Sequence, residues 1–178
     1  MKLNILIPAA GLVLLAAMAL VVIPQARPSE TTADWRDMPL VDVRSGDTFT
    51  LADFEGQTVY VQAMATWCTT CRRQMTILRD AIAGFEGEGF AVIGLSVETH
   101  LRGTDLAQYV DAHGFHWTFA VKTPELLREL TNTFGRAINT PPATPHFIIR
   151  PDGSFTELST GIKSAEEIID ALRKAAAL

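Results

Sequence analysis

The feature that most constrains this chain is a pair of cysteines, Cys68 and Cys71, which are the only cysteines in the sequence. When a pair with this spacing opens a helix, the first sulfur lies at the helix N-terminus and the second lies within bonding distance of it. A structural zinc site would need four ligands, and the sequence has no second Cys or His pair at the required spacing. The spacing therefore favours a reversible dithiol/disulfide, with metal binding and an inert buried pair as the alternatives.

The two sulfurs are predicted to differ in reactivity. Unpaired N–H groups and the dipole at the helix start stabilise a thiolate, so we expect Cys68 to be the attacking sulfur. Cys71, one turn inside the helix, is expected to be less accessible. The neighbouring Trp67 is interpreted as an apolar cover beside the reactive sulfur, with an ordinary core aromatic as the alternative.

Apolar strands alternate with amphipathic helices through the rest of the chain. Residues 58–65 and 90–97 are predicted to be central strands, because they are apolar on both faces. The other predicted elements are a helix after the cysteines, a helix over 104–113, a half-buried strand over 115–121, a helix that begins after Thr123, a strand over 146–150, a returning hairpin strand over 154–159, and a last helix opened by a Ser164/Glu167 capping box. This order predicts an α/β fold with a central mixed β-sheet flanked by helices.

Three runs of residues carry a resemblance to a known family. They are Ala65-Thr66-Trp67-Cys68-Thr69-Thr70-Cys71 with the strand before it, Ala143-Thr144-Pro145-His146-Phe147-Ile148-Ile149, and Arg150-Pro151-Asp152-Gly153. These runs resemble the thioredoxin superfamily, and most of all its membrane-anchored TlpA-like and ResA-like thiol-disulfide oxidoreductases. The resemblance implies a thioredoxin-like fold, a cis peptide bond before Pro145, and contact of Pro145 with the two sulfurs. It also implies that Thr144 presents backbone groups to a substrate polypeptide.

The chain departs from the family pattern at positions that matter for proton transfer. Acidic residues are usual six residues before the first cysteine and common three residues after the second, where this chain has Gln62 and Gln74. An amide cannot take the proton from Cys71. If a base is needed, His146 is the preferred candidate because an unperturbed imidazole has a pKa of about 6.5, and Glu98 is the second. The alternative is that both glutamines only satisfy buried polar groups.

Thr70 is a further departure, because many relatives have a proline just before the second cysteine. A hydroxyl at this position has the chemistry to donate a hydrogen bond to a thiolate. The resemblance therefore leaves the reduction potential of this chain open.

The N-terminus predicts a membrane anchor. Residues 5–23 are apolar and uncharged, and Lys2 precedes them. A helix over this run is roughly 29 Å long, close to the thickness of a bilayer core. We therefore predict an anchor over 1–24, a polar tether over 25–37 and a thioredoxin-like domain over 38–178 on the extracytoplasmic side of the cell membrane. A cleaved signal peptide is the alternative.

Together these features predict an extracytoplasmic protein-disulfide oxidoreductase that uses no cofactor besides its own Cys68–Cys71 disulfide. The resemblance implies a reductase that receives electrons from a transmembrane thiol carrier and acts on cytochrome c or copper-site cysteines. A net charge of −5 argues against nucleic acid binding. Three alternatives stay open. They are a copper metallochaperone with Cys68, Cys71 and His146 as ligands, a peroxiredoxin-like peroxidase, which would need threonine where Ala65 stands, and a purely structural membrane-anchored domain, which would not need a solvent-facing dithiol.

Overall fold

A computed structural model describes residues 34–83 and 89–177. In these ranges the strands are β1 (Leu40–Val41), β2 (Thr48–Phe49), β3 (Thr58–Met64), β4 (Phe90–Ser96), β5 (Thr118–Val121) and β6 (His146–Ile149). The helices are α1 (Thr69–Ile82), α2 (Gly103–Ala112), α3 (Pro124–Phe134) and α4 (Ala165–Ala176). Short 3₁₀ turns cover Trp35–Asp37, Ala52–Phe54, Arg136–Asn139 and Pro141–Ala143. The predicted alternation of strands and helices is confirmed.

The main sheet is mixed, with strand order β5-β4-β3-β6. Strands β3, β4 and β5 are parallel, and β6 is antiparallel to β3. In this register Val61 lies between Ile93 of β4 and Phe147 of β6. Every residue of β3 is buried, as its apolar composition on both faces predicts for a central strand.

Side chains of β3 alternate between two apolar layers, so both faces of the sheet are covered by helices. On one face Val59 and Val61 pack with Leu130 of α3. On the other face Tyr60 packs with Leu78 of α1 and with residues of α4. The predicted mixed sheet with flanking helices is therefore confirmed.

The predicted helix starts are also observed. Thr123 Oγ1 accepts a hydrogen bond from Leu126 N at 3.1 Å, with Pro124 in the first turn of α3. At α4, Ser164 Oγ accepts from Glu167 N at 3.2 Å, and the Glu167 carboxylate accepts from Ser164 N at 2.7 Å. Both caps satisfy N–H groups that a helix leaves unpaired at its start.

The predicted hairpin after β6 forms without a continuous second strand. Isolated bridges join His146 to Ser159 and Ile149 to Phe155. Between them, Ile148 N donates to the Thr156 side-chain Oγ1 at 3.0 Å instead of to a backbone carbonyl. Thr156 N still donates to the Ile148 carbonyl at 2.9 Å, so the returning segment is paired along its length but does not form a regular strand.

The predicted membrane span over 5–23 lies outside the described residues, as does the predicted tether up to residue 33. Within the described ranges, none of the helices combines the length and the apolar character that crossing a bilayer requires. The anchor stays a prediction.

Candidate active site

The site is built around the turn that starts α1. Cys68 and Cys71 form a disulfide with Cα atoms 5.3 Å apart. Cys68 is the N-cap of α1 in an extended conformation, and its Sγ accepts a hydrogen bond from Cys71 N at 3.1 Å. A sulfur in this position receives both a backbone N–H and the positive end of the helix dipole. The prediction that Cys68 is the attacking sulfur depends on this position at the helix N-terminus, and the structure shows it.

The two sulfurs differ more in their partners than in their exposure. Cys68 is 2% exposed and Cys71 is fully buried, so the predicted difference in accessibility is small in the disulfide form. Cys71 Sγ lies 3.1 Å from the carbonyl oxygen of Pro141. A disulfide sulfur has no hydrogen, so this contact becomes a hydrogen bond only after reduction, when the Cys71 thiol can donate. That bond favours the neutral thiol at Cys71 and not the thiolate.

The hydroxyl of Thr70 lies between the disulfide and the same proline-rich turn. Its Oγ1 is 3.3 Å from Cys68 Sγ and 3.2 Å from the carbonyl oxygen of Pro142. The hydroxyl has one hydrogen to donate, and the carbonyl is the better acceptor in the disulfide form. A Cys68 thiolate would compete for that hydrogen after reduction, as the sequence suggested for this position.

The peptide bond before Pro145 is trans, and the cis bond implied by the family resemblance is wrong for this structure. The chain instead reverses at Thr144, which has left-handed backbone angles of φ 47° and ψ 52°. The backbone groups of Thr144 are occupied inside the protein: its N–H donates to Pro141 O at 2.7 Å, and its carbonyl lies 3.0 Å from His146 Nδ1. Pro145 O accepts from Ala63 N at 3.0 Å, which joins this loop to β3.

Trp67 and Glu98 differ in exposure and in hydrogen bonding. Trp67 is 63% exposed, so most of its apolar surface faces solvent. The Glu98 carboxylate accepts hydrogen bonds from the Thr66 N–H at 2.6 Å, the Thr66 hydroxyl at 3.1 Å and the Ser96 hydroxyl at 3.3 Å. These bonds fix the residue two positions before Cys68. The geometry fits a positioning group, and the role of Glu98 as a base stays a prediction.

His146 is buried on β6, where its ring stacks on Tyr60 with centroids 5.1 Å apart. Nδ1 lies 3.0 Å from the Thr144 carbonyl, so a neutral ring that donates from Nδ1 leaves Nε2 as its proton acceptor. Desolvation lowers the pKa of His146, the contact with the Thr144 carbonyl opposes this, and the nearby Lys163 lowers it further. None of the hydrogen bonds among the described residues joins His146 to either cysteine.

The copper-binding set is not assembled. The part of the chain that the structure describes has no group of three or more His, Cys, Asp or Glu side chains arranged to hold a metal ion. Cys68 and Cys71 are bonded to each other, and the ring of His146 is held by Tyr60 and Thr144. The three predicted ligands therefore do not converge in this state.

The two glutamines that replace family acids differ in environment. Gln74 satisfies buried polar groups as its alternative interpretation predicts: its Oε1 accepts from Lys163 N at 2.7 Å, which ties α1 to the segment before α4. Both side-chain atoms of Gln62 are buried without a protein partner. The interpretation that both glutamines satisfy buried groups is therefore right for Gln74 and wrong for Gln62.

Sequence reasoning missed Pro141 and Pro142, whose carbonyls face Cys71 and Thr70. A signal was available in the adjacent prolines before Thr144. Proline has no N–H to donate, so a proline pair offers the neighbouring side chains only carbonyl acceptors.

Comparison with known proteins places this geometry in a family. A model of the AhpC/TSA family matches residues 34–157. The thiol-disulfide oxidoreductase ResA of Bacillus subtilis (strain 168) is 21% identical over 143 residues, which cover 79% of this chain and 75% of the relative. The crystal structure of a thiol:disulfide interchange protein of the thioredoxin family from Chlorobium tepidum TLS matches with a TM-score of 0.64 and 23% identity, covering 78% of this chain and 92% of that one. A secreted Mycobacterium tuberculosis disulfide oxidoreductase homologous to E. coli DsbE matches with a TM-score of 0.57 and 16% identity, covering 80% and 98%.

The two structural matches confirm the thioredoxin-like fold. The similarity to ResA, together with the Cys68–Cys71 disulfide, supports the predicted protein-disulfide oxidoreductase. The family model covers more than half of the chain and includes both cysteines and the Thr144–Pro145 loop. The chain belongs to the AhpC/TSA family.

Proposed function

We propose that the chain is an extracytoplasmic thiol-disulfide oxidoreductase that reduces disulfides in other proteins. The observation that carries the proposal is the asymmetry of the pair: Cys68 Sγ receives the N–H of Cys71, whereas Cys71 Sγ faces the Pro141 carbonyl. The first environment stabilises a thiolate and the second a protonated thiol. Thiol–disulfide exchange begins with attack by a thiolate, so this asymmetry assigns the first attack to Cys68 and leaves Cys71 protonated until the resolving step.

The reaction begins from the dithiol form. The Cys68 thiolate attacks one sulfur of a substrate disulfide, and the other substrate sulfur leaves as a thiolate, which gives a mixed disulfide. Cys71 then loses its proton, to His146 or Glu98 or to the departing thiolate, and attacks Cys68 Sγ. The Cys68–Cys71 disulfide forms, the second substrate thiol is released, and two electrons have passed to the substrate. A second dithiol must return them before the next cycle.

We propose a single-pass anchor over residues 5–23 with the catalytic domain outside the cytoplasmic membrane. A transmembrane thiol carrier would then supply the electrons, because an oxidising compartment holds no reducing thiol pool. Haem-binding cysteines of apocytochrome c and copper-site cysteines of an oxidase are the substrate classes that the resemblance suggests. The Mycobacterium tuberculosis disulfide oxidoreductase whose fold this chain shares is secreted, which supports a location outside the cytoplasm.

Insulin reduction tests the activity. The full chain, kept reduced by dithiothreitol, should accelerate precipitation of insulin chains, and Cys68→Ser should abolish the acceleration. Copper(I) titration and a hydroperoxide consumption assay on the same preparation test the two alternative functions. Binding of one equivalent of copper(I) without insulin reduction would replace the proposal with the metallochaperone, and peroxide turnover without insulin reduction would replace it with the peroxidase.

Fractionation tests the location. The full chain should stay in the membrane fraction after carbonate washing, and protease added from the extracytoplasmic side should remove the catalytic domain. Recovery of a soluble product that begins near residue 26 would show instead that a signal peptidase cleaves the chain.

A further inference from the structure

A buried lysine lies at the same end of the sheet as the dithiol. Lys122 directly follows β5, and its N–H donates to the carbonyl of Ser96 at the end of β4. The residue is 1% exposed, which is rare for a lysine. Neither the family resemblance nor the exchange reaction described above accounts for it.

The environment of Lys122 is costly to maintain. Its Nζ donates to Asn139 Oδ1 at 2.9 Å, and no carboxylate of the described residues forms an ion pair with it. Burial lowers the pKa of Lys122 to about 7. An apolar side chain of similar length would avoid the cost of burying an amine. The single hydrogen bond to Asn139 is therefore the feature to explain.

The side chain of Asn139 is fixed from the other direction by α3. Its Nδ2 donates to the Leu127 carbonyl at 3.2 Å and to Thr131 Oγ1 at 2.6 Å. Both of its N–H groups are used, so Oδ1 must receive its hydrogen bond from a separate donor. Lys122 is that donor.

Asn139 ends one 3₁₀ turn, and Pro141 begins the next. The rings of Pro141 and Pro142 fix their φ angles, so the segment between Asn139 and Pro142 has few free dihedral angles. The Pro141 carbonyl faces Cys71 Sγ, and the Pro142 carbonyl faces the hydroxyl of Thr70. A displacement of Asn139 would therefore be transmitted to both contacts with the dithiol turn.

We propose that Lys122 is a positioning residue for the exchange reaction: through Asn139 it fixes the segment 136–144 and holds the Pro141 carbonyl against Cys71 Sγ. The inference rests on the proposed function. In the reduced protein this carbonyl accepts the thiol hydrogen of Cys71, which stabilises the dithiol form relative to the disulfide. Lys122 thereby affects the equilibrium between the dithiol and the disulfide, although it forms no hydrogen bond with either sulfur.

Two effects of removing Lys122 have opposite signs, which makes the proposal testable. Loss of the Pro141 contact removes a hydrogen bond from the neutral thiol and lowers the pKa of Cys71. Loss of any positive charge that the Lys122 amine keeps would raise the pKa of a thiol, but burial lowers the pKa of this amine to about 7 and leaves little charge where thiols titrate. The direction of change therefore separates positioning from a through-space charge effect.

The test compares Lys122→Met in the full chain with the exposed control Lys174→Met and with the unmodified protein. Equilibration with reduced and oxidised glutathione gives the dithiol/disulfide ratio, and carbon-13 NMR of labelled cysteine follows the titration of Cys71. We expect Lys122→Met to shift the equilibrium about fivefold toward the disulfide, the size of one net hydrogen bond, and to lower the pKa of Cys71. Lys174→Met should change neither.

Amide hydrogen exchange of Thr144, whose N–H donates to Pro141 O, measures the segment directly. Exchange should be faster in Lys122→Met than in either control. If Lys122→Met does not fold, Lys122→Leu replaces it, because leucine also lacks an N–H group that could donate to Asn139 Oδ1. An unchanged glutathione equilibrium, or a raised pKa of Cys71, would overturn the positioning role. Failure of the unmodified protein to exchange with glutathione would instead contradict the proposed function itself.

Discussion

The two halves of the active site are built by different kinds of contact. In the helix-turn half, residues 68–71, Cys68 is an N-cap and its sulfur bonds to an N–H three residues away. In the loop half, residues 136–146, the contacts to the helix turn are long-range. Pro141 contacts Cys71, which is 70 positions earlier in the sequence, and Pro142 contacts Thr70, which is 72 positions earlier. The helix-turn half supplies the reacting sulfurs and the N–H group beside Cys68, and the loop half supplies the carbonyl that faces Cys71. A short motif can therefore identify the chemistry of this protein without fixing its redox properties.

The largest expected effect separates the two sulfurs within the helix-turn half. Cys68→Ala should abolish exchange, because it removes the sulfur that receives the helix N–H group. Cys71→Ala should retain the first attack and accumulate a mixed disulfide with the substrate. Non-reducing electrophoresis after incubation with substrate disulfide distinguishes the two. Trapping by Cys68→Ala and not by Cys71→Ala would reverse the assigned roles.

A second prediction asks whether the loop half supplies a base. His146→Ala should slow resolution of the mixed disulfide by about a hundredfold at pH 7, the low end of general-base catalysis, and leave the first attack unchanged. Desolvation lowers the pKa of His146, so the neutral base is present above that lowered value and its contribution is lost as pH falls through it. Stopped-flow rates of the two steps from pH 6 to 8 measure this. Equal resolution rates in the variant and the parent over that range would remove His146 from the mechanism.

The buried amine that anchors the loop half predicts a pH-dependent stability. The pKa of Lys122 is about 7 in the folded protein against 10.5 for an ordinary lysine. Between these values the unfolded chain binds more protons, so the free energy of unfolding should rise with pH above about 7, by up to about 1.4 kcal/mol per pH unit. Below about pH 7, Lys122 is protonated in both the folded and the unfolded chain, so the free energy of unfolding no longer changes with pH on its account.

Urea unfolding of the disulfide form at pH 6, 7, 8 and 9 measures the effect. Lys122→Met should remove the rise, and Lys174→Met should keep it. A rise of the same size in Lys122→Met would mean that another group is responsible.

The smallest expected effect concerns the reversal of the chain at Thr144. A β-branched residue in the left-handed region costs roughly 1–2 kcal/mol, and the buried hydroxyl of Thr144 has no hydrogen-bond partner. Thr144→Gly should raise the free energy of unfolding by about 1 kcal/mol after the added entropy of glycine in the unfolded chain is counted. Thr140→Gly is the matched control, since Thr140 has an ordinary φ of −111° and glycine there should destabilise. Chemical denaturation of both variants checks the pair, and destabilisation of both would show that Thr144 is not strained.

The elements predicted best are those whose signals are local. The apolar runs of β3 and β4, the Thr123 cap and the Ser164/Glu167 capping box all depend on residues within a few positions of one another. The hairpin after β6 was predicted in place but not in detail, because a side-chain acceptor at Thr156 takes one rung of the ladder. Periodicity does not reveal such substitutions of a side chain for a backbone group.

The candidate site divides in the same way. Cys68, Cys71 and the environment of the first sulfur follow from the spacing and the helix start. Three other features do not follow from the sequence, because each depends on which distant segment packs beside it. They are the trans bond before Pro145, the contact of Pro141 with Cys71, and the contrast between Gln62 and Gln74.

The sequence by itself determined the redox-active pair, the order of strands and helices, and the helix caps, because each is set by short-range geometry and the period of apolar residues. Only the tertiary structure decided which carbonyl faces the resolving sulfur, that Glu98 fixes Thr66, and that Lys122 is buried against Asn139. Desolvation and hydrogen-bond partners in a packed core come from segments far apart in the chain. The protonation of buried groups therefore depends on the fold and cannot be assigned from residue type alone.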